Sequence, residues 1–318
     1  MARAVRFDEY GDADVLHIAD VERPQPASDQ ILVEVVAAGI NPGEITVRSG
    51  RMHERWPATF PSGQGSDFAG RVVEVGGSVT GFAVDDEVLG WSDGRSSQAE
   101  YVVVAEDHLT RKPAALDWIR AGGLFVVGVT AYAAVRAVEP REGETVVVSG
   151  AAGGVGSLTV QLARNAGARV VGIAGEGNAS WLRSVGVTPI AYGDGLEERL
   201  RQAVPSGIDA FIDTYGGGYV DLAVRLGVDP SRIDTVIDWD AAARVGAKTE
   251  GSSDASDAEV LAFMAAELAW GRITMPVAAI YPLEAVREAY TELAARHTRG
   301  KIVLAMALPP DAGRQGPE

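Results

Sequence analysis

One short segment restricts the fold more than any other: Gly150-Ala151-Ala152-Gly153-Gly154-Val155-Gly156. It follows an apolar run, Thr145–Ser149, opens a stretch of helical composition over 154–166, and is succeeded by a second apolar run at 169–174. Glycines in such a turn reach positive φ, let a phosphate approach the backbone and let the helix pack close on its strand. The helix start then offers unspent N–H groups and the positive end of the helix dipole to an anion. Strand, glycine loop, helix and strand within ~30 residues is the order a dinucleotide-binding fingerprint requires. A bare tight turn would need the glycines but not that order.

The surrounding chain supports a parallel sheet. Strand-like runs at 188–191, 208–213 and 232–237 alternate with helix-like runs at 179–185, 196–204 and 220–226. That rhythm predicts a doubly wound parallel sheet covered on both faces. Upstream the pattern differs. The apolar run 31–40 and short strands at 71–75, 86–90 and 99–104, separated by Gly, Asp and Ser clusters, predict a β-rich module. A long Ala- and Val-rich helix is expected over 121–138, amphipathic helices over 257–270 and 282–296, and a last strand at 301–305. The stretch 250–257 reads as a loop, and the tail 309–318 has no apolar anchor, so mobility is expected there.

Composition narrows the function classes. With 318 residues the chain is long enough for two domains. Its net charge of −16 repels phosphate backbones and anionic lipid, which disfavours nucleic-acid or membrane partners. No apolar run reaches the ~18 residues of a bilayer span, and the charged first ten residues do not resemble a secretory leader, so a cytoplasmic address is expected. Zero cysteines exclude disulfides, thiolate nucleophiles and Cys-ligated zinc. The four histidines, at 17, 53, 108 and 297, are too scattered to suggest a metal pair.

Six motifs in chain order resemble the zinc-independent quinone oxidoreductase (zeta-crystallin-like) branch of the medium-chain dehydrogenases/reductases. They are Asn41-Pro42 with Arg48-Ser49-Gly50; the segment 61–70 with Gly65, Asp67, Ala69 and Gly70; Ser97-Gln98-Ala99-Glu100-Tyr101; Gly128-Val129-Thr130-Ala131-Tyr132; the glycine loop; and Gly300-Lys301-Ile302-Val303-Leu304. The resemblance implies an α/β protein of two parts: a GroES-like β-barrel catalytic domain from 1–123 and 274–318, and a Rossmann nucleotide-binding domain over 124–273. Nicotinamide and substrate would meet in a cleft between them. It further implies a zinc-free, NAD(P)H-dependent reductase passing hydride to a quinone or an α,β-unsaturated carbonyl, acting as a homodimer on a small, planar, hydrophobic substrate.

The same resemblance supplies the site. Zinc-using relatives carry Gly-His-Glu where this chain has Gly65-Ser66-Asp67, and a hydroxyl does not replace imidazole. Asn41 and Thr130 would orient the nicotinamide. Gly150, Ala152, Gly153, Gly154 and Val155 would seat the pyrophosphate, and Tyr192 would flank the adenosine end. Asn41 also suits the cap of a helix starting at Pro42. The ribose 2′ position departs from relatives. NADPH users place Ser, Lys or Arg after the second strand, whereas this chain has Gly175-Glu176 and no lysine between 113 and 247. An acid there typically holds a free 2′-hydroxyl. NADPH is expected from the resemblance, and Glu176 leaves NADH open, with Arg183 or Arg199 available to offset it. The aromatics Trp56, Phe60, Trp91 and Trp239 are expected in loops around the cleft. Two rivals remain: a dedicated enoyl reductase of a biosynthetic pathway, and a cyclase-like or binding protein that has lost redox use of the fold.

Overall fold

In the computed structural model residues 1–306 are described; the tail 309–318 falls outside them. The chain forms two compact units: one from Met1–Val126, Asp257–Arg272 and 277 onward, the other from Val127–Ser256 and Ile273–Pro276.

The first unit holds the β-rich part of the chain. Its strands are β1 (Ala2–Phe7), β2 (His17–Val21), β3 (Gln30–Gly39), β4 (Ser62–Gly63), β5 (Asp67–Val75), β6 (Glu87–Trp91), β7 (Tyr101–Ala105) and β8 (Leu109–Arg111). Two short helices, α1 (Pro42–Arg48) and α2 (Trp118–Gly122), interrupt them. β3 is the spine, antiparallel to β5, β7 and, from the far end of the chain, β15 (Lys301–Ala305). Its apolar length is explained by that position. Ile31, Val33, Val35 and Ala38 pack with Phe68, Val72, Val88, Val102 and Val104 into one core, each large side chain contributing about 1.5–3 kcal/mol.

The second unit begins with α3 (Phe125–Val138), whose first two residues belong to the first unit. It continues through β9 (Thr145–Ser149), α4 (Gly154–Asn165), β10 (Arg169–Ala174), α5 (Ala179–Ser184), β11 (Thr188–Ala191), α6 (Leu196–Ala203), β12 (Ala210–Asp213), α7 (Tyr219–Arg225), β13 (Ile233–Thr235) and α8 (Trp239–Val245). The strands pair all-parallel in the order β11-β10-β9-β12-β13. Successive residues of β9 face opposite sides: Val146 and Val148 join one core, Val147 the other. Burial on both faces is why the strands read as continuous apolar runs.

The chain then returns to the first unit with α9 (Ala258–Ala269), β14 (Val277–Pro282), α10 (Val286–Ala294) and β15. Segment 257–272, expected in the nucleotide-binding part, packs with the first unit instead.

Local expectations needed four further corrections. The helix expected over 121–138 is two helices: α2 ends at Gly122, where the lack of a side chain lets it lie against β3 (a Cβ would stand 2.5 Å from the Ala37 carbonyl), and α3 begins only at Phe125. The strand expected to 237 stops at Thr235, whose Oγ1 accepts from the Asp238 N–H at 3.0 Å and turns the chain into α8. Trp239 opens that helix rather than a loop. Trp91 ends β6, buried and stacked between Phe125 and His108 at centroid distances of 4.5 Å each. Among the described residues no helix is long and apolar enough to cross a membrane.

Candidate functional site

The glycine loop sits at the carboxyl end of the central strand β9, where doubly wound sheets bind ligands. Gly150 takes φ +58° and Gly153, in extended conformation, caps α4. The Gly153 N–H turns back onto the Gly150 carbonyl at 2.9 Å, and the Ser157 N–H is the first to bond into the helix, onto Gly153 O. The N–H groups of Gly154, Val155 and Gly156 are left at the helix start for an acceptor from outside. Beyond its chain neighbours, a Cβ on Gly153 would have only Gly150 O, at 3.2 Å, within 4 Å, so the loop is open at that point. At Gly156 the constraint is internal: a Cβ would meet that same carbonyl at 2.1 Å.

Beside the loop, Asp213 ends β12 fully buried and ties the strand ends together. Its Oδ1 accepts from Ser149 Oγ (2.5 Å) and from the N–H groups of Tyr215 (3.0 Å) and Gly216 (2.9 Å), and its Oδ2 accepts from Thr235 Oγ1 (2.9 Å). Tyr219 lies nearby; burial, with Asp213, Tyr215 and Tyr192 adding, pushes its phenol up to about 12.

Past the end of β10 opens a cavity of about 210 Å³ lined by Ala174, Gly175, Glu176, Leu182, Arg183 and Ile190, among others. Glu176 and Arg183, of opposite charge, thus share one small space. The Tyr192 ring stands beside it, 3.4 Å from where a Gly175 Cβ would be, and is half exposed. Thr130 is buried on α3. Gly150, Ala152, Gly153, Gly154, Val155, Gly175, Glu176, Tyr192 and Thr130 all belong to the second unit.

Asn41 belongs to the first unit and is the hub of a buried polar cluster. Its Oδ1 accepts from Lys301 Nζ at 2.7 Å, and its Nδ2 donates to Glu44 Oε1 and Asp67 Oδ2, both at 3.2 Å. Lys301 also donates to Asp67 Oδ2 (3.1 Å) and to the Ile40 carbonyl (3.0 Å). Glu44 accepts from the Asn41 N–H (2.9 Å), the Ser66 N–H (3.1 Å) and Tyr290 Oη (2.5 Å), and Tyr290 in turn accepts from Gln98 (2.7 Å) and Gln64 (2.9 Å). Arg48, fully buried, lays its guanidinium over the Tyr290 ring at 4.6 Å. Burial above all, with Asp67 adding, raises the Glu44 carboxyl, while its donors oppose the shift.

Sequence reasoning missed this cluster as a unit. Asp67 and Lys301 sit in two of the six motifs, but nothing in their spacing shows that they meet. The cap role weighed for Asn41 is present in part, since Glu44 reaches back to the Asn41 N–H.

Residues 27–114 match the family described as the GroES-like domain of alcohol dehydrogenases, and residues 185–304 the family described as zinc-binding dehydrogenase. The chain does not fit zinc: it lacks cysteine, and among the described residues no three His, Asp or Glu side chains group to hold a metal ion. A quinone oxidoreductase of Mus musculus is 39% identical over 178 residues, 55% of this chain and 53% of that protein, so this match spans about half of each. An NADPH-dependent alkenal/one oxidoreductase of Arabidopsis thaliana is 29% identical over 94% of this chain and 78% of that one. The solved quinone oxidoreductase of Coxiella burnetii superposes with a TM-score of 0.86 at 27% identity, covering 96% of this chain and 99% of that one.

Proposed function

For a chain that belongs to the quinone oxidoreductase (zeta-crystallin-like) family of medium-chain dehydrogenases/reductases, we propose an NAD(P)H-dependent reductase of quinones or α,β-unsaturated carbonyls. The observation that carries this reading is the open glycine loop at the end of β9, with unspent N–H groups at the start of α4. A pyrophosphate is the ligand such a loop suits.

The residues fit a nicotinamide dinucleotide. Gly153, Gly154 and Val155 would hold the pyrophosphate, and the cavity past β10 would take the adenosine end beside Tyr192. Thr130 and Asn41 would orient the nicotinamide half. When bound, the nicotinamide supplies hydride from C4. A quinone accepting it takes one proton onto oxygen to give the hydroquinone, and solvent can deliver that proton. The chain's own contribution is to bind and orient two planar partners. No side chain needs to act as a Lewis acid, because conjugation in the acceptor spreads the developing charge.

NADPH is the proposed preference. The Arabidopsis relative is NADPH-dependent by name, and Arg183 brings a cation to the cavity that Glu176 makes acidic. A homodimer in the cytoplasm remains the proposed setting, with the first unit as catalytic domain and the second as nucleotide-binding domain. The test is a titration of the purified protein with NADPH and NADH, followed by nicotinamide fluorescence. Absorbance loss with a benzoquinone and with an alkenal then follows turnover. Micromolar binding and turnover support the reading; no binding of either dinucleotide below millimolar overturns it.

A further inference from the structure

The amide of Asn41 is almost fully spent inside its own unit. Both hydrogens of Nδ2 are committed, one to Glu44 and one to Asp67, and Oδ1 already accepts from Lys301. One lone pair of Oδ1 is all the amide has left to offer, so Asn41 meets a ligand as an acceptor and not as a donor. The orientation is not arbitrary. An amide turned over would face its NH2 to the Lys301 ammonium and its oxygen to two carboxyls.

Lys301 makes that choice rigid. Its ammonium is 3% exposed and spent on three oxygens: Ile40 O, Asn41 Oδ1 and Asp67 Oδ2. Asp67 is held from the other side by the Val126 N–H at 3.0 Å. The backbone makes room, since a Cβ on Gly39 would fall 2.6 Å from Asp67 Oδ2. Glu44 is steadied by Tyr290, itself pinned by two glutamine amides and roofed by Arg48. Segments hundreds of residues apart thus converge on one amide.

We propose that Lys301, with Asp67 opposite, is a positioning residue that fixes the Asn41 amide with its oxygen as the only free hydrogen-bonding site toward the dinucleotide, and that Tyr290 supports it through Glu44. The inference rests on the reading above that Asn41 meets the nicotinamide half.

Three variants of the full chain test it: Asn41→Ala, the charge-neutral pair Lys301→Met with Asp67→Asn, and the triple. The pair removes one buried positive and one buried negative charge together, leaving no uncompensated charge, and it frees the amide to turn. NADPH and NADH dissociation constants are read by fluorescence and melting temperatures without ligand. Asn41→Ala and the pair are each expected to weaken dinucleotide binding by about tenfold, the loss of one fixed hydrogen bond. The triple is expected to bind no worse than Asn41→Ala, because Lys301 acts through Asn41. Wild-type affinity in the pair, or losses that multiply in the triple, would overturn the proposal. Tyr290→Phe keeps the ring under Arg48 and deletes the donor to Glu44 together with the acceptor of the Gln64 and Gln98 amides. It is expected to weaken binding several-fold, and an unchanged constant counts against the network even if the pair does not fold. Failure of the wild type to bind either dinucleotide would instead sink the functional reading, and this inference with it.

Discussion

Asp234 lets the energetics be tested without any ligand. It sits on β13 with no exposure; its Oδ1 accepts from the Glu250 N–H at 2.8 Å while its Oδ2 has no partner. Burial pushes its carboxyl up to about 7, with the charges of Glu250 and Asp254 adding and the Glu250 N–H and Lys248 opposing. A folded-state value above the unfolded one means the native protein holds the proton more tightly. Stability is therefore full below about pH 4 and falls as pH rises from there to about 7. Every tenfold gain in proton affinity is worth about 1.4 kcal/mol, so the loss totals about 4 kcal/mol, of which roughly 2.5 falls between pH 5 and pH 8. Asp234→Asn removes the titration but leaves a buried NH2 without an acceptor, a fixed cost of about 1–3 kcal/mol. The variant should gain on the wild type by roughly 2.5 kcal/mol between pH 5 and pH 8 and be the more stable of the two by pH 8. Urea unfolding of both proteins at several pH values measures the difference and cancels every other titrating group. Parallel pH profiles would refute the reasoning, because they would mean that Asp234 is ionised in the folded state throughout.

Two further outcomes follow from the site. Gly156→Ala drives a Cβ to 2.1 Å from the Gly150 carbonyl, and should lower the melting temperature and abolish dinucleotide binding together, at a cost of about 1–3 kcal/mol or more; unchanged binding by fluorescence would show that the loop is not the pyrophosphate seat. Glu176→Ala should shift the ratio of NADPH to NADH affinity toward NADPH by roughly tenfold, and Arg183→Ala should shift it the other way, since the two share the cavity with opposite charge; a ratio unmoved in both would place the 2′ position elsewhere.

What the sequence made legible was local. The glycine loop, the alternation behind it and the apolar spine 31–40 are patterns within a few dozen residues, and strand and helix periods write them directly into the chain. The loop works as written because Gly150 and Gly156 must touch. The bonds around Asn41 could not be read that way. Lys301 lies 260 positions from Asn41 and Tyr290 246 from Glu44, and no spacing rule relates residues so far apart. The same blindness explains β13: Asp234 and Lys248 look like surface charges until the fold sets them side by side as a strand bridge. Helix α8 did leave a trace, Asp238 before Trp239 and Gly246 after Val245, but a seven-residue helix has too short a period to stand out. Its cap bond, Asp238 Oδ1 accepting from the Ala241 N–H at 3.2 Å, is what makes it hold.

Hydride transfer from a nicotinamide to a quinone or enone is the chemistry proposed. It is tested most directly by following the label from dinucleotide deuterated at C4, NADPH and NADH in turn, into the product under single-turnover conditions without oxygen. An enone product is expected to carry deuterium at its β-carbon, or quinone reduction to slow with the labelled dinucleotide, in the wild type and not in Gly156→Ala. Binding without any label transfer or isotope effect on either acceptor class would contradict hydride transfer.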